Sequence, residues 1–229
     1  MPVEVKICGL TTATTVDAAV RGGARYVGFV FFPASPRSLD LGSAAGLARR
    51  VPSSVLRVGL TVDADDELLA AIVATVPLDQ LQLHGREAPA RVAAIRRRFG
   101  LPVTKAIGLA AAEDLGGAAA YEEVADQLLF DARAPVDATR PGGNARSFPW
   151  AIVAGYRGRL PWILAGGLHA ANLETAVRSS GARTVDVSSG VEVAPGVKSI
   201  ARIGEFLRLA HRLDAAPYRN SSSSAPASA

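Results

Sequence analysis

Val3-Glu4-Val5-Lys6-Ile7-Cys8-Gly9-Leu10-Thr11-Thr12, close to the amino terminus, carries the pattern from which the fold is predicted. Its first six residues alternate between apolar and polar, a period of two that is typical of a β-strand with two different faces. Gly9 permits a sharp turn after the strand, and Thr11 or Thr12 can cap the helix that follows. This stretch therefore predicts a strand, a loop and a helix, with the single cysteine of the chain at the end of the strand.

The same unit recurs along the chain at intervals of roughly 20 to 30 residues. Seven further strands are predicted over 26–32, 55–61, 80–85, 103–107, 127–131, 160–165 and 184–187. Helices are predicted near 43–51, 67–76, 87–99, 110–124, 150–154, 170–180 and 199–213. Eight such units predict a single (β/α)₈ TIM barrel of the α/β class, for which a doubly wound open sheet is the alternative.

The two faces of the predicted strands favour the barrel. One face is apolar, as residues packed under helices must be, at Val3, Val5, Ile7, Val58, Leu60, Leu81, Leu83, Leu128, Phe130, Val185 and Val187. The opposite face is polar, at Glu4, Lys6, Cys8, Arg57, Thr61, Gln80, Gln82, His84, Gln127, Asp131, Asp186 and Ser188. Because each unpaired buried charge costs several kcal/mol, an open sheet covered on both faces would not carry so many polar residues in register. A barrel interior can pair them with one another.

Composition excludes several classes of protein. No apolar run is long enough to cross a membrane, and one cysteine allows no internal disulfide, so we expect a cytoplasmic protein with a reduced thiol. The net charge of +4 is modest. Arg49-Arg50 and Arg96-Arg97-Arg98 fall where helices are predicted to end, without interleaved aromatic residues. We therefore expect no nucleic-acid partner, and a small anionic substrate fits the charge better.

Residues 214–229 differ from the rest of the chain. They are rich in Ser, Ala and Pro and lack periodic apolar residues, which predicts a disordered tail after a barrel domain over 1–213. Truncation after Leu213 is expected to leave both activity and melting temperature unchanged, because a tail without apolar contacts adds nothing to the folded state. Thermal unfolding of the truncated and full-length chains tests this, and a fall of more than a few degrees would show that the tail docks on the barrel.

Three residues with acid–base chemistry end predicted strands one, four and six. Cys8, His84 and Asp131 would share the carboxyl-end rim of a barrel, where barrel enzymes keep their sites. Each has an ordinary explanation, as a buried thiol, a histidine bonded to loop carbonyls or a loop-capping aspartate. All three on one rim favour an active site. No metal-ligand spacing and no Gly-x-Ser-x-Gly motif is present, so neither a metal site nor a serine hydrolase is expected.

The loops after strands six, seven and eight have compositions that bear on ligand binding. Gly166-Gly167-Leu168 and Ser188-Ser189-Gly190 bring small residues and free backbone N–H groups to the usual phosphate site of barrels. Tight turns alone could also account for these glycines. The connection over 132–147 contains Gly142-Gly143 and is long enough to be functional.

Together the motifs resemble the phosphoribosylanthranilate isomerase family of tryptophan biosynthesis, from Val3 to about Leu213. The resemblance is carried, one motif per unit, by Lys6-Ile7-Cys8-Gly9-Leu10-Thr11, Ser35-Pro36-Arg37, Gln82-Leu83-His84-Gly85, Leu129-Phe130-Asp131, Gly142-Gly143, Leu164-Ala165-Gly166-Gly167-Leu168 and Asp186-Val187-Ser188-Ser189-Gly190-Val191-Glu192. It implies a barrel, monomeric or homodimeric, that works without cofactor or metal. The implied reaction is the Amadori rearrangement of N-(5′-phosphoribosyl)anthranilate to 1-(2-carboxyphenylamino)-1-deoxyribulose 5-phosphate.

The resemblance also implies roles for single residues. Asp131 would be the general acid, and Cys8, as thiolate, the general base. We expect Lys6, two residues before Cys8 on the same face, to lower the pKa of that thiol. Arg37 would hold the anthranilate carboxylate. Substrate binding is further assigned to His84, Gly143, Gly167, Asp186, Ser188, Ser189 and Gly190.

The sequence departs from the family pattern at one position, and two alternative functions stay open. Gly142-Gly143-Asn144-Ala145-Arg146 carries Ala145 where the family usually has glycine, so closure of that loop is expected to differ in detail. A histidine-pathway isomerase on the same barrel would use two aspartates, and Cys8 argues against it. A non-catalytic sugar-phosphate-binding protein would keep the phosphate loops and dispense with Cys8 and Asp131.

Overall fold

The computed structural model describes residues 2–135, 142–143 and 146–213. Eight parallel strands close into a barrel in chain order, with the first strand paired to both the second and the eighth. The strands are β1 (Glu4–Cys8), β2 (Tyr26–Phe31), β3 (Leu56–Thr61), β4 (Gln80–Leu83), β5 (Val103–Leu109), β6 (Gln127–Ala132), β7 (Trp162–Leu164) and β8 (Thr184–Val187). The (β/α)₈ prediction is therefore confirmed. The predicted tail over 214–229 and the departure at Ala145 lie outside the described residues.

Helices surround the barrel. They are α1 (Ala13–Arg21), α2 (Leu41–Ala48), α3 (Asp66–Thr75), α4 (Pro89–Phe99), α5 (Leu173–Ser180) and α6 (Ile200–Arg212), with 3₁₀ segments at Ala112–Tyr121, Trp150–Gly155 and Ser189–Val191. Side-chain caps start four of the six helices, from Thr12, Asp40, Asp65 and Ser199. In each case the side-chain oxygen accepts a backbone N–H of the first turn that has no partner within the helix. No helix among these residues is both long and apolar enough to span a membrane.

One local prediction was wrong, and one element was not predicted. The segment over 110–124 is a shorter 3₁₀ segment instead of an α-helix, because the Gly116-Gly117 pair at its centre has poor helix propensity. A hairpin of β9 (Glu192–Ala194) and β10 (Val197–Lys198), which was not predicted, precedes α6. Its turn uses Gly196 at a φ of +82°, a conformation that favours glycine.

The predicted strand faces are right for most of the barrel and wrong for β3. Cys8 of β1 pairs with Gly28, and Gly28 pairs with Val58 of β3. Since paired residues of neighbouring strands project to the same side, Val58 points into the barrel with Cys8. Leu60, two residues later, points the same way, and Arg57 and Thr61 point outward.

The outer contacts of β3 explain the reversal. Arg57 forms a two-pronged ion pair with Asp79 on the outside, at 2.7 Å for both Nε–Oδ2 and Nη2–Oδ1. Gly59 leaves the middle of the outer face without a side chain, and Leu78 fills that place, since a Cβ on Gly59 would lie 2.5 Å from its Cδ1. The outer face of β3 is therefore completed by residues outside the strand, which its own alternation does not reveal.

Candidate active site

A cavity opens at the carboxyl ends of the barrel strands and contains about 800 Å³ of space, including its mouth. Every residue assigned to the site from the sequence except Gly190 lines it. The lining residues that carry polar side chains are Cys8, Ser35, Arg37, His84, Asp131, Arg133, Arg146, Asp186, Ser188 and Ser189. The cavity therefore gathers side chains that lie far apart in the sequence, at the face where barrel enzymes keep their sites.

Asp131 and His84 form a close pair across β6 and β4. Oδ2 of Asp131 lies 3.2 Å from Nε2 of His84, and Oδ1 accepts the backbone N–H of Ala132 at 2.8 Å. Both side chains are nearly enclosed, at 13% and 9% exposed. Gly142 lies directly over the pair, since a Cβ at that position would be 2.7 Å from Nε2 of His84. A larger residue at Gly142 would therefore force the pair apart.

Cys8 lies beside a buried ion pair. Nζ of Lys6 is 3.0 Å from Oδ1 of Asp186, with side-chain exposures of 1% and 9%. Although burial opposes the charge of Lys6, the Asp186 carboxylate holds the pKa of the ammonium above its ordinary value. Gly28 makes room for the thiol, because a Cβ there would lie 2.8 Å from Sγ of Cys8.

The predicted effect on the Cys8 thiol was wrong in its net direction. Burial is the largest influence and raises the pKa of Cys8 above its ordinary value. The charges of Lys6, as predicted, and of Lys198 lower this pKa. The charge of Asp186 raises it, and burial outweighs the effect of the two lysines. The sequence-based prediction lacked the cost of enclosing a thiolate in the barrel.

Arg37 is held by a carboxylate of the hairpin. Its Nε donates to Oε1 of Glu192 at 2.7 Å and its Nη2 to Oε2 at 2.8 Å. Lys198 donates to the same Oε1 at 2.7 Å and to Oγ and the carbonyl oxygen of Ser188 at 3.1 and 2.9 Å. Burial raises the pKa of Glu192, but hydrogen bonds and charge from Arg37 and Lys198 outweigh it and hold the pKa below the usual range. Two cations therefore share one buried carboxylate, which leaves one positive charge in excess.

The two loops expected to bind phosphate meet at one side of the cavity. Gly166 and Gly167 have φ angles of +87° and +67°, which favour glycine. The backbone N–H of Gly167 has no protein acceptor within the part of the chain that the structure describes. Gly190 does not line the cavity. It packs against the carbonyl oxygen of Leu168, where a Cβ would collide, and so lets the two loops approach each other.

Sequence reasoning missed several residues at this site. Lys198 and the role of Glu192 were missed because the hairpin that carries them was not predicted. Arg133 and Arg146 line the cavity and carried no assigned role. Gln82 was placed inside the barrel by strand parity, and its contact with His84 two residues later could have been inferred from that parity.

A closed barrel with a polar cavity at the carboxyl ends of its strands defines the class as the (β/α)₈-barrel enzymes. The sequence model of the N-(5′-phosphoribosyl)anthranilate (PRA) isomerase family matches residues 5–208. The chain belongs to this family and is an isomerase of tryptophan biosynthesis.

Relatives and solved structures agree with this membership. The chain is 57% identical over 208 residues to the N-(5′-phosphoribosyl)anthranilate isomerase of Cereibacter sphaeroides, covering 91% of this chain and 98% of that relative. It is 54% identical to that of Paramagnetospirillum magneticum over 92% of this chain and 98% of the relative. Among solved structures, the isomerase of Thermotoga maritima superposes with a TM-score of 0.82 at 34% identity, covering 92% of this chain and all of that one.

Another similar structure is of an isomerase in complex with reduced 1-(o-carboxyphenylamino)-1-deoxyribulose 5-phosphate. It superposes with a TM-score of 0.80 at 33% identity, and the match covers 92% of this chain and 100% of that one.

Proposed function

We propose that the chain rearranges N-(5′-phosphoribosyl)anthranilate to 1-(2-carboxyphenylamino)-1-deoxyribulose 5-phosphate, with Asp131 as general acid and Cys8 as general base. The observation that carries the proposal is that both side chains line one cavity, which the two glycine- and serine-containing loops also line. A substrate with a phosphate at one end would lie with its sugar between the acid and the base. Membership of the family supports the reaction, and the geometry supports the roles of the residues.

The first chemical step opens the sugar ring. Asp131 donates its proton to the ring oxygen, the bond between that oxygen and C1′ breaks, and the nitrogen lone pair forms an iminium bond to C1′. Because Oδ1 already accepts the Ala132 N–H, the proton is expected on Oδ2. General acid catalysis of this kind contributes about 10²–10⁴-fold.

The second step removes the proton from C2′. The Cys8 thiolate accepts this proton, and its electron pair moves toward the iminium to form an enolamine, which tautomerises to the ketone. Burial raises the pKa of Cys8 in the free protein, so the thiolate is expected to form once the cationic iminium is in the cavity. The thiol proton passes to the Asp131 carboxylate that the first step left, directly or by exchange with water, so that removal of the C2′ proton returns both groups to their protonated state.

Arg37 is proposed to hold the anthranilate carboxylate. Because Glu192 occupies the Nε–Nη2 edge of the guanidinium, the substrate would meet the Nη1 side. Arg37→Ala is expected to lower kcat/KM by about 10- to 150-fold, since a charge-assisted hydrogen bond contributes about 1.5–3 kcal/mol. Arg37→Lys, which keeps the charge and loses the planar fork, is the matched variant.

The measurement for Arg37 is kcat/KM for the substrate and for an analogue without the carboxylate. The parent should discriminate strongly between the two, and Arg37→Ala should discriminate weakly. An Arg37→Ala enzyme that still rejects the analogue as strongly as the parent would exclude this role.

Turnover of freshly prepared phosphoribosylanthranilate tests the proposed function directly. The purified protein, without added metal or cofactor, is expected to remove the anthranilate-type fluorescence of the substrate. A histidine-pathway isomerase would act on its own aminoimidazole substrate and leave this fluorescence unchanged. Tight binding of a product analogue without any turnover would instead favour a sugar-phosphate-binding protein.

We propose that the protein acts as a monomer or a homodimer. The isomerase of Thermotoga maritima is described as dimeric.

A further inference from the structure

Gln82 is a buried polar side chain that the steps above do not use. It lies on β4 inside the barrel and is 0% exposed. Its amide Nε2 is 2.8 Å from Nδ1 of His84. Its Oε1 has no hydrogen-bond partner in residues 2–135, 142–143 and 146–213. The contact with the imidazole is therefore the one hydrogen bond that this side chain makes within the described part of the protein.

The direction of this hydrogen bond determines where His84 carries its proton. With the amide nitrogen of Gln82 facing the ring, as it does here, that nitrogen can only donate, and Nδ1 of His84 is then the acceptor and carries no proton. The neutral ring then carries its proton on Nε2, the atom 3.2 Å from Oδ2 of Asp131. Oδ1 of Asp131 already accepts a hydrogen bond from the Ala132 N–H. When Asp131 is ionised, its other oxygen, Oδ2, therefore needs a hydrogen-bond donor of its own. Only this tautomer of the neutral ring supplies that donor.

The backbone around His84 is held separately. Nζ of Lys105 donates to the carbonyl oxygens of Leu83 at 3.2 Å and Gly85 at 2.8 Å, on either side of His84. The same Nζ pairs with Oε2 of Glu87 at 2.9 Å, and both of these side chains are buried. Lys105 therefore restrains the backbone of His84 and makes no contact with its ring nitrogens, which leaves Gln82 to select the tautomer.

We propose that Gln82 is a positioning residue for the acid step, keeping His84 in the Nε2–H tautomer so that its ring stabilises the Asp131 carboxylate left after proton transfer. The proposal rests on the proposed function. The transferred proton passes from Oδ2 to the ring oxygen of the substrate, and His84 keeps its own proton throughout. In the opposite tautomer, Nε2 would carry a lone pair that faces the carboxylate and repels it. In serine proteases, loss of the group that fixes the histidine tautomer costs about 10⁴-fold in kcat.

Two substitutions of Gln82 separate the tautomer from packing. Gln82→Glu places an acceptor against Nδ1 and so requires a proton there; in the neutral ring Nε2 then loses its proton, and kcat is expected to fall about 10²-fold. Gln82→Met removes the hydrogen bond in a side chain of similar size, and kcat should fall about 10-fold. KM should stay within threefold of the parent for both, because Gln82 does not line the cavity.

Gln80→Met is the matched control. Gln80 is a buried glutamine two residues earlier on the same strand, and it bonds to Thr104 and Gln127 at 2.6 and 3.1 Å instead of to His84. This variant can lower the melting temperature but should keep kcat within threefold. A loss of kcat in Gln80→Met equal to that in Gln82→Met would assign the effect of Gln82 to packing and overturn the proposal.

The tautomer itself can be measured without substrate. The chain has three histidines, so in protein labelled with ¹⁵N-histidine the ring signals of His84 are those missing from a His84→Gln variant. The unprotonated ring nitrogen resonates far downfield of the protonated one. The parent should show a protonated Nε2 and an unprotonated Nδ1, and Gln82→Glu should show the reverse, a protonated Nδ1 and an unprotonated Nε2.

A protonated Nδ1 in the parent would overturn the proposal, as would full kcat in a Gln82→Glu enzyme whose tautomer has changed. If Gln82→Glu does not fold, the ring-nitrogen spectrum of the parent and the kcat of Gln82→Met still test the proposal. The spectrum needs no turnover, so the two failures can be told apart. Failure of the proposed function would appear in the fluorescence assay, and failure of this inference would appear in the ¹⁵N spectrum of His84.

Discussion

Asp131→Asn is expected to lower kcat by about 10²–10⁴-fold, the usual contribution of a general acid. Asparagine keeps the shape of the side chain and can still accept the Ala132 N–H, but it has no acidic proton to give to the ring oxygen. KM should change little, because Arg37 and the loops proposed to bind phosphate are untouched. The measurement is steady-state turnover of phosphoribosylanthranilate, followed by the loss of its fluorescence.

Asp17→Asn is a control for this substitution. Asp17 pairs with Arg50 outside the cavity, at 2.7 Å, and this Arg50 side chain is 46% exposed. Surface ion pairs contribute at most about 1 kcal/mol, so this variant should keep full activity. Activity of Asp131→Asn within threefold of the parent would remove Asp131 from the acid role.

Cys8→Ser should be nearly inactive, with kcat lower by about 10²–10⁴-fold. A serine hydroxyl occupies nearly the same volume but is a far weaker acid than a thiol, so it offers almost no anionic base at neutral pH. The substitution keeps the Lys6–Asp186 pair, and the melting temperature of the variant should therefore stay close to that of the parent. Retained activity in Cys8→Ser would make Cys8 a packing residue.

The pH dependence of thiol alkylation tests the state of Cys8 in the free protein. Only the thiolate reacts, and burial raises its pKa, so alkylation should be slow at pH 7 and rise through a pKa above the ordinary value of about 8.5. Lys6→Met should move the profile further upward, because the Lys6 charge lowers this pKa. A product analogue in the cavity should slow the reaction. A profile centred below 8.5 would show that charge, and not burial, controls the thiol.

The order of the barrel strands and the positions that could carry chemistry were predictable from the amino-acid sequence alone. Alternation along β1, the cap at Thr12 and glycines at the turns act between neighbouring residues, so they can be interpreted without the fold. Because the carboxyl ends of barrel strands share one rim, the ends of β1, β4 and β6 predicted that Cys8, His84 and Asp131 line one cavity.

The pairing and the charge of those side chains, in contrast, depend on the three-dimensional fold. The outward side of β3 is completed by Leu78, and Arg37 is bound by Glu192, which lies 155 residues later in the chain. The raised pKa of Cys8 comes from its burial beside residues that lie far from it in the sequence, such as Asp186. Desolvation and charge pairing depend on distances in space between residues remote in sequence, and no local periodicity encodes those distances.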